Sequence, residues 1–241
     1  MEEGQENIEM VFNRFKELFT ERCDRIPLLN LGEDSVRYDF FIALAEVEKL
    51  KPCDIQIEVP IRNSESIQYF IPRDNKKSKR KEQPKMDLVL DKGNIGFCAE
   101  FGLFRQNRND KGNIDQTTKT MKMIEDMIRL GIYSYNNKLK AYFICVADDK
   151  MLRHHLQSRI LGEFPSDYQI SMEIIKKLME KKTAAKEMNK EDFYGRFIKK
   201  FEEMKCSFQA KLLFNEEIKA EKINMETRIV IWEITKKETE Q

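Results

Sequence analysis

The run "KAYFICVAD", residues 140 to 148, constrains the fold more than any other part of the chain. Between Lys140 and Asp148 every residue is apolar, so a strand made from them has no polar face and needs cover on both sides. That requirement predicts a central strand in a sheet with helices packed above and below.

The flanking sequence supplies such helices. Residues 7 to 23 place Ile8, Val11, Phe12, Phe15, Leu18 and Phe19 at helical spacing, which predicts an amphipathic helix over a core. A second helix is expected over Ser35 to Leu50, capped by Asp34 or Ser35 and followed by Pro52. The strand-like "DIQIEVPI" (54 to 61) precedes a polar loop, and "KMDLVLDKGNIGFCAEFG" (85 to 102) reads as two strands around a turn. Then "IDQTTKTMKMIEDMIRLGI" sets Ile114, Thr117, Met121, Ile124 and Ile128 along one helical face before the apolar strand. The order α-α-β-β-β-α-β predicts an α/β class with a mixed sheet. Downstream, "YQISMEIIKKLMEKK" and "KEDFYGRFIKKFEEM" read as helices, the second with Phe193, Phe197, Phe201 and Met204 on one stripe. "SFQAKLLF" and "TRIVIWEI" read as a terminal β-hairpin.

At 241 residues the chain suits one domain overall, divided as an N-terminal helix and connection (1–34), a core (35–165) and C-terminal helices with a hairpin packed on it (166–241). Charged residues make up 35% of it, yet the net charge is only +1, so attraction to nucleic acid must come from local patches. The apolar runs are too short to span a bilayer, and "MEEGQENIEM" lacks the basic flank and apolar segment of a leader. Five cysteines stand singly, without metal-binding spacing, as reduced thiols do. A cytoplasmic protein without membrane contact is the expectation.

The hairpin carries the chemistry. With a Lys92-Gly93 turn, Asp91 opposes Asn94, Asp87 faces Cys98 and Lys85 faces Glu100. Alternation then puts Lys85, Asp87, Cys98, Glu100 and Gly102 on one face, and Met86, Leu88, Leu90, Ile95, Phe97, Ala99 and Phe101 on the other. Asp87 and Glu100 become diagonal neighbours, roughly 7 to 8 Å apart. Two carboxylates that close repel, and a positive group between them is what stabilises the pair. A hard divalent cation suits, because it takes oxygen ligands and keeps places for water and a phosphate oxygen. The same alternation also describes an exposed hairpin whose polar face meets water.

Taken together, "PKMDLVL", "AEFG", the preceding "IEVPI", the helix opening "IDQTTKT" and the strand "AYFICVAD" resemble the PD-(D/E)XK nuclease-like superfamily, which includes many restriction endonucleases, over roughly residues 35 to 150. The resemblance implies a restriction-endonuclease-like core and hydrolysis of phosphodiester bonds in double-stranded DNA with Mg2+ or Mn2+. By position it implies Asp87 and Glu100 as metal ligands, joined from the preceding helix by Glu46 or Glu48. The family lysine is absent, because Gly102 stands in its place. Catalysis is then lost or another cation serves. Lys85, across from Glu100, is the expected replacement, with Gln116 and Lys119 within reach and Arg105 a weaker choice.

Around this centre, "NKKSKRKEQPK" (75 to 85) carries Lys76, Lys77, Lys79, Arg80 and Lys81, which fit contacts to the phosphate backbone or simply a solvated loop. Glu58 points towards the cleft or pairs with a surface lysine. His154 and His155 read as surface groups. The C-terminal helices and hairpin suit a homodimer contact. Against the nuclease stands a catalytically inactive protein of the same fold that binds nucleic acid or a partner, suggested by Gly102.

Overall fold

The computed structural model describes residues 3–61, 85–92, 95–105, 116–149, 151, 167–183 and 201–238. Helix α1 (Glu3–Arg25) buries Val11, Phe12, Phe15, Phe19 and Cys23, the stripe that its spacing predicts. Helix α2 (Glu33–Val47) starts before the expected caps: Gly32 is the N-cap and makes no side-chain cap bond, and Glu33 and Asp34 lie in the first turn. Acids there are favoured by the partial positive charge of the helix N-terminus. Arg22 grips the buried Asp39 with two hydrogen bonds, and Arg14 pairs with Glu46, so ion pairs tie α1 to α2 at two levels.

Seven strands form one mixed sheet in the order β1-β2-β3-β4-β7-β6-β5. They are β1 (Gln56–Pro60), β2 (Lys85–Lys92), β3 (Ile95–Phe104), β4 (Lys140–Asp148), β5 (Tyr168–Ile170), β6 (Cys206–Glu217) and β7 (Thr227–Glu238). Among the described residues only β3 and β4 pair in parallel, which the crossover helix α3 (Gln116–Asn137) makes possible. The α-α-β-β-β-α-β order expected up to residue 148 is observed among the described residues.

The central strand has the predicted double cover. Tyr142, Ile144 and Val146 join Phe12, Phe15, Phe40, Phe97 and Phe101 in a core under α1 and α2. Ala141, Phe143, Cys145 and Ala147 join Ile124, Ile128, Val230 and Trp232 in a second core on the opposite face, under α3. Each such Val, Leu, Ile or Phe, fully buried, contributes about 1.5–3 kcal/mol. Gly131 lets α3 approach the sheet: a Cβ there would lie 2.4 Å from Phe208 Cδ1.

The C-terminal third departs from expectation in two ways. The terminal hairpin is not an added layer, because β7 pairs with β4 and so continues the same sheet. Tyr168 to Ile170 form β5 against β6, where a helix was expected from Tyr168 onward. Buried Tyr168 and Ile170 alternate with exposed Gln169, a pattern that a sheet edge rewards more than a helix does. Helix α4 (Met172–Thr183) follows, with Ser171 Oγ accepting from the Ile174 N–H as its cap. Of the predicted Phe193 to Met204 helix, residues 201–204 are helical and Phe201 is buried. The remainder lies outside the described residues, as do His154 and His155. Among the described residues no helix is long and apolar enough to cross a membrane.

Candidate functional site

The register of the central hairpin is two residues away from the expected one. Leu88 pairs with Ala99, Val89 with Cys98 and Lys92 with Ile95, so Lys92 belongs to the strand and not to the turn. An even displacement keeps every side chain on its face but changes who is opposite whom. Continued by one step, the ladder sets Asp87 across from Glu100, in place of Cys98. The β1–β2 pairing also skips at Glu58 and Asp87, and Glu58 has a left-handed φ of 49°. Beyond this irregularity Met86 joins the α3-side core, although Leu88 and Leu90 face the α2 side as expected.

Asp87 is held from two directions. Its Oδ2 accepts the Phe101 backbone N–H at 3.0 Å, and its Oδ1 accepts from Arg37 of α2 at 2.8 Å. Glu100 is buried and receives Arg129 of α3, whose Nε and Nη2 lie 3.0 and 2.9 Å from the same Oε1. Arg129 Nη2 also donates to Asp126 Oδ1 at 2.7 Å. Above them Lys122 Nζ stands 3.8 Å from Glu33. These inner groups number four carboxylates (Glu33, Asp87, Glu100, Asp126) and three cations (Arg37, Lys122, Arg129), so negative charge is in excess.

The proton affinities follow from burial first and from that surplus second. Burial pushes Glu100 well above the usual carboxylate range, Arg129 opposes, and the charges of Asp87 and Asp126 together with a hydrogen bond to the Asp87 side chain raise it further. Burial likewise raises Asp126 and Glu33, with Arg129 and Lys122 respectively pulling back. Burial pulls the Lys122 ammonium down, but Asp126, Glu33, Asp87 and Glu100 outweigh it and hold the group above its ordinary value.

Several expected members are elsewhere. Lys85 is paired with Pro60 in register and its Nζ lies 2.8 Å from Glu58, not on Glu100. Glu46 is exposed against Arg14, and Glu48 is the C-cap of α2. Both are at the wrong end of that helix: Glu33 and Arg37 face the hairpin, and about 20 Å of helix separates residue 33 from residue 46 at 1.5 Å per residue. Arg105 donates to the backbone carbonyls of Leu28 and Leu29. Gln116 and Lys119 lie in the first turns of α3, their side chains outside the described residues together with Lys76, Lys77, Lys79, Arg80 and Lys81.

Glu33, Arg37, Lys122, Asp126 and Arg129 were not anticipated. One signal was present: in "MIEDMIRL", Asp126 and Arg129 interrupt a helix whose Met123, Ile124, Met127, Ile128 and Leu130 are all buried, and charges inside such a run must pair. Gly102 has a packing reason. A Cβ there would lie 2.9 Å from Phe104 Cε2 and 3.5 Å from Phe143 Cζ, so a lysine does not enter without displacing an aromatic ring.

Among the described residues no group of three or more His, Cys, Asp or Glu side chains is arranged to hold a metal ion. Magnesium, however, is commonly bound through one or two carboxylates and completed by water and phosphate. Asp87 and Glu100, brought opposite each other by the hairpin ladder, fit that donor set, since two carboxylates that close favour a proton or a cation between them. Comparison of the chain with family models, with curated proteins and with solved structures finds no match in any of the three.

Proposed function

We propose that the protein is a metal-dependent nuclease that hydrolyses phosphodiester bonds in double-stranded DNA. The observation that carries this reading is the convergence of Asp87 and Glu100 from adjacent strands onto opposite positions of one ladder, walled by the cations Arg37 and Arg129. The α-β-β-β-α-β element order, and the place of both acids in the hairpin, also support the resemblance to PD-(D/E)XK nucleases.

In this reading Asp87 and Glu100 bind Mg2+ or Mn2+, with Glu33 of α2 adding negative charge in place of Glu46 or Glu48. The ion, when bound, polarises the phosphoryl oxygen and acidifies a water. The Phe101 N–H and Arg37 fix the Asp87 carboxylate so that its remaining lone pairs keep one direction. Lys122 takes the part expected of Lys85. Its ammonium is half exposed, lies in the field of Glu33, Asp87, Glu100 and Asp126, and stays protonated, so it can orient water and offset charge developing on phosphate. The basic run from Lys76 to Lys81 would grip the backbone on either side, as a salt-sensitive contact.

The test is cleavage of plasmid by the full chain with Mg2+ or Mn2+, beside Asp87→Ala and Glu100→Ala. Nicking by the parent and its loss in both variants is expected; equal nicking by parent and variants would end the proposal. A second reading, an inactive nuclease-fold module that binds nucleic acid or a partner, is favoured by Arg129 on Glu100 and by Gly102. It predicts duplex binding without cleavage under every metal.

A further inference from the structure

Resting on the metal-binding reading above, we infer that Arg129 is a resident counter-ion of Glu100 that competes with the divalent cation, and that loading the site transfers its guanidinium from Glu100 to Asp126. The geometry places two N–H groups of Arg129 on one Glu100 oxygen, and the same Nη2 on Asp126 three residues earlier on α3. A divalent cation shared by Asp87 and Glu100 would lie beside a guanidinium held within 3.0 Å of the same carboxylate, and like charges in so buried a space repel strongly. The guanidinium does not leave by losing its proton, because it remains charged under all ordinary conditions. It must move.

Asp126 makes the move possible. The Arg129, Glu100 and Asp126 side chains are respectively 7%, 4% and 6% exposed, so a guanidinium released into this space without a partner would be a buried unpaired charge. With Asp126 on its own helix face, Arg129 keeps one ion pair while Glu100 turns to the ion. The second ligand stays put through the exchange, since Asp87 is held by Arg37 and by a backbone N–H that belong to other elements. Arg129 is therefore a positioning residue. It holds the pair together in the absence of metal, and it weakens metal affinity by the free energy of breaking its bonds to Glu100.

The test uses the metal-stripped full chain and reads Mn2+ affinity by calorimetry and thermal unfolding with and without Mn2+, independent of cleavage. Arg129→Gln is expected to bind Mn2+ at least tenfold more tightly than the parent and to regain in Mn2+ much of the stability that it loses in chelator. Adding Glu100→Gln to it should abolish the gain. Should Arg129→Gln not fold, Arg129→Lys serves: one ammonium cannot span both acids as the fork does, and affinity should again rise. Binding unchanged within twofold in both variants, or a gain that survives Glu100→Gln, overturns the competition while leaving the metal site standing. No Mn2+ binding by parent or variants overturns the metal-binding reading itself.

Discussion

Replacing Arg129 by methionine in the metal-free protein removes the guanidinium that Glu100 and Asp126 share and leaves two buried carboxylates facing Asp87. Taking one partner from a buried ion pair costs about 3–5 kcal/mol, because the remaining charge stays out of water. For a chain of this size each kcal/mol lowers the melting temperature by about 2–4 °C, so the expected fall is roughly 6–20 °C. The loss should depend on pH with a definite sign. Glu100 and Asp126 already sit above the usual carboxylate range because of burial, and without Arg129 they rise further. The folded state then binds more protons than the unfolded one between the ordinary carboxylate value, about 4, and the raised folded value. The parent shares the lower part of that window, so stability of the variant relative to the parent falls as pH rises above the parent's own raised values. Circular-dichroism melts at pH 5 and pH 8 in chelator read both quantities, and adding Glu100→Gln and Asp126→Asn should restore more than half of the loss. A deficit below about 1 kcal/mol, or one equal at the two pH values, would mean that these groups are not the buried electrostatic unit described.

Gly131→Ala should lower the melting temperature despite its gain in helix propensity of about 1 kcal/mol, because the new Cβ meets buried Phe208 at 2.4 Å; Phe208→Leu in the same chain should relieve it. Gly102→Lys would give the hairpin the triplet of the PD-(D/E)XK nucleases that it resembles, yet it should cost about 1–3 kcal/mol through Phe104 and give no faster plasmid cleavage. Truncating Trp232, fully buried against Tyr168 and Phe143, to alanine should cost about 3–5 kcal/mol in denaturant unfolding. A thiol reagent on the native protein should label Cys53 quickly and the other four cysteines only on unfolding, since those four are buried and burial raises the Cys98 and Cys145 thiols.

Local patterns determined much of this protein without any knowledge of its partners in space. The unbroken apolar run of β4 could only be a strand covered twice, and the Val11, Phe12, Phe15, Phe19 stripe could only be a helix laid on a core. Alternation in the hairpin also told which side chains share a face from Leu88 onward, because that period is local to each strand, but not that Met86 crosses to the other core beyond the irregularity at Glu58 and Asp87. It did not tell the register: a displacement by two leaves the alternation intact, and whether Asp87 meets Cys98 or Glu100 depends on hydrogen bonds between strands. The tertiary structure alone decided which acid of α2 faces the hairpin, since Glu33 and Glu46 share one helix and only packing selects its end. It also decided that the cation on Glu100 comes from α3, because the crossover that lays residue 129 over residue 100 joins positions distant in the chain. Charges balance through space, and sequence distance carries no record of that.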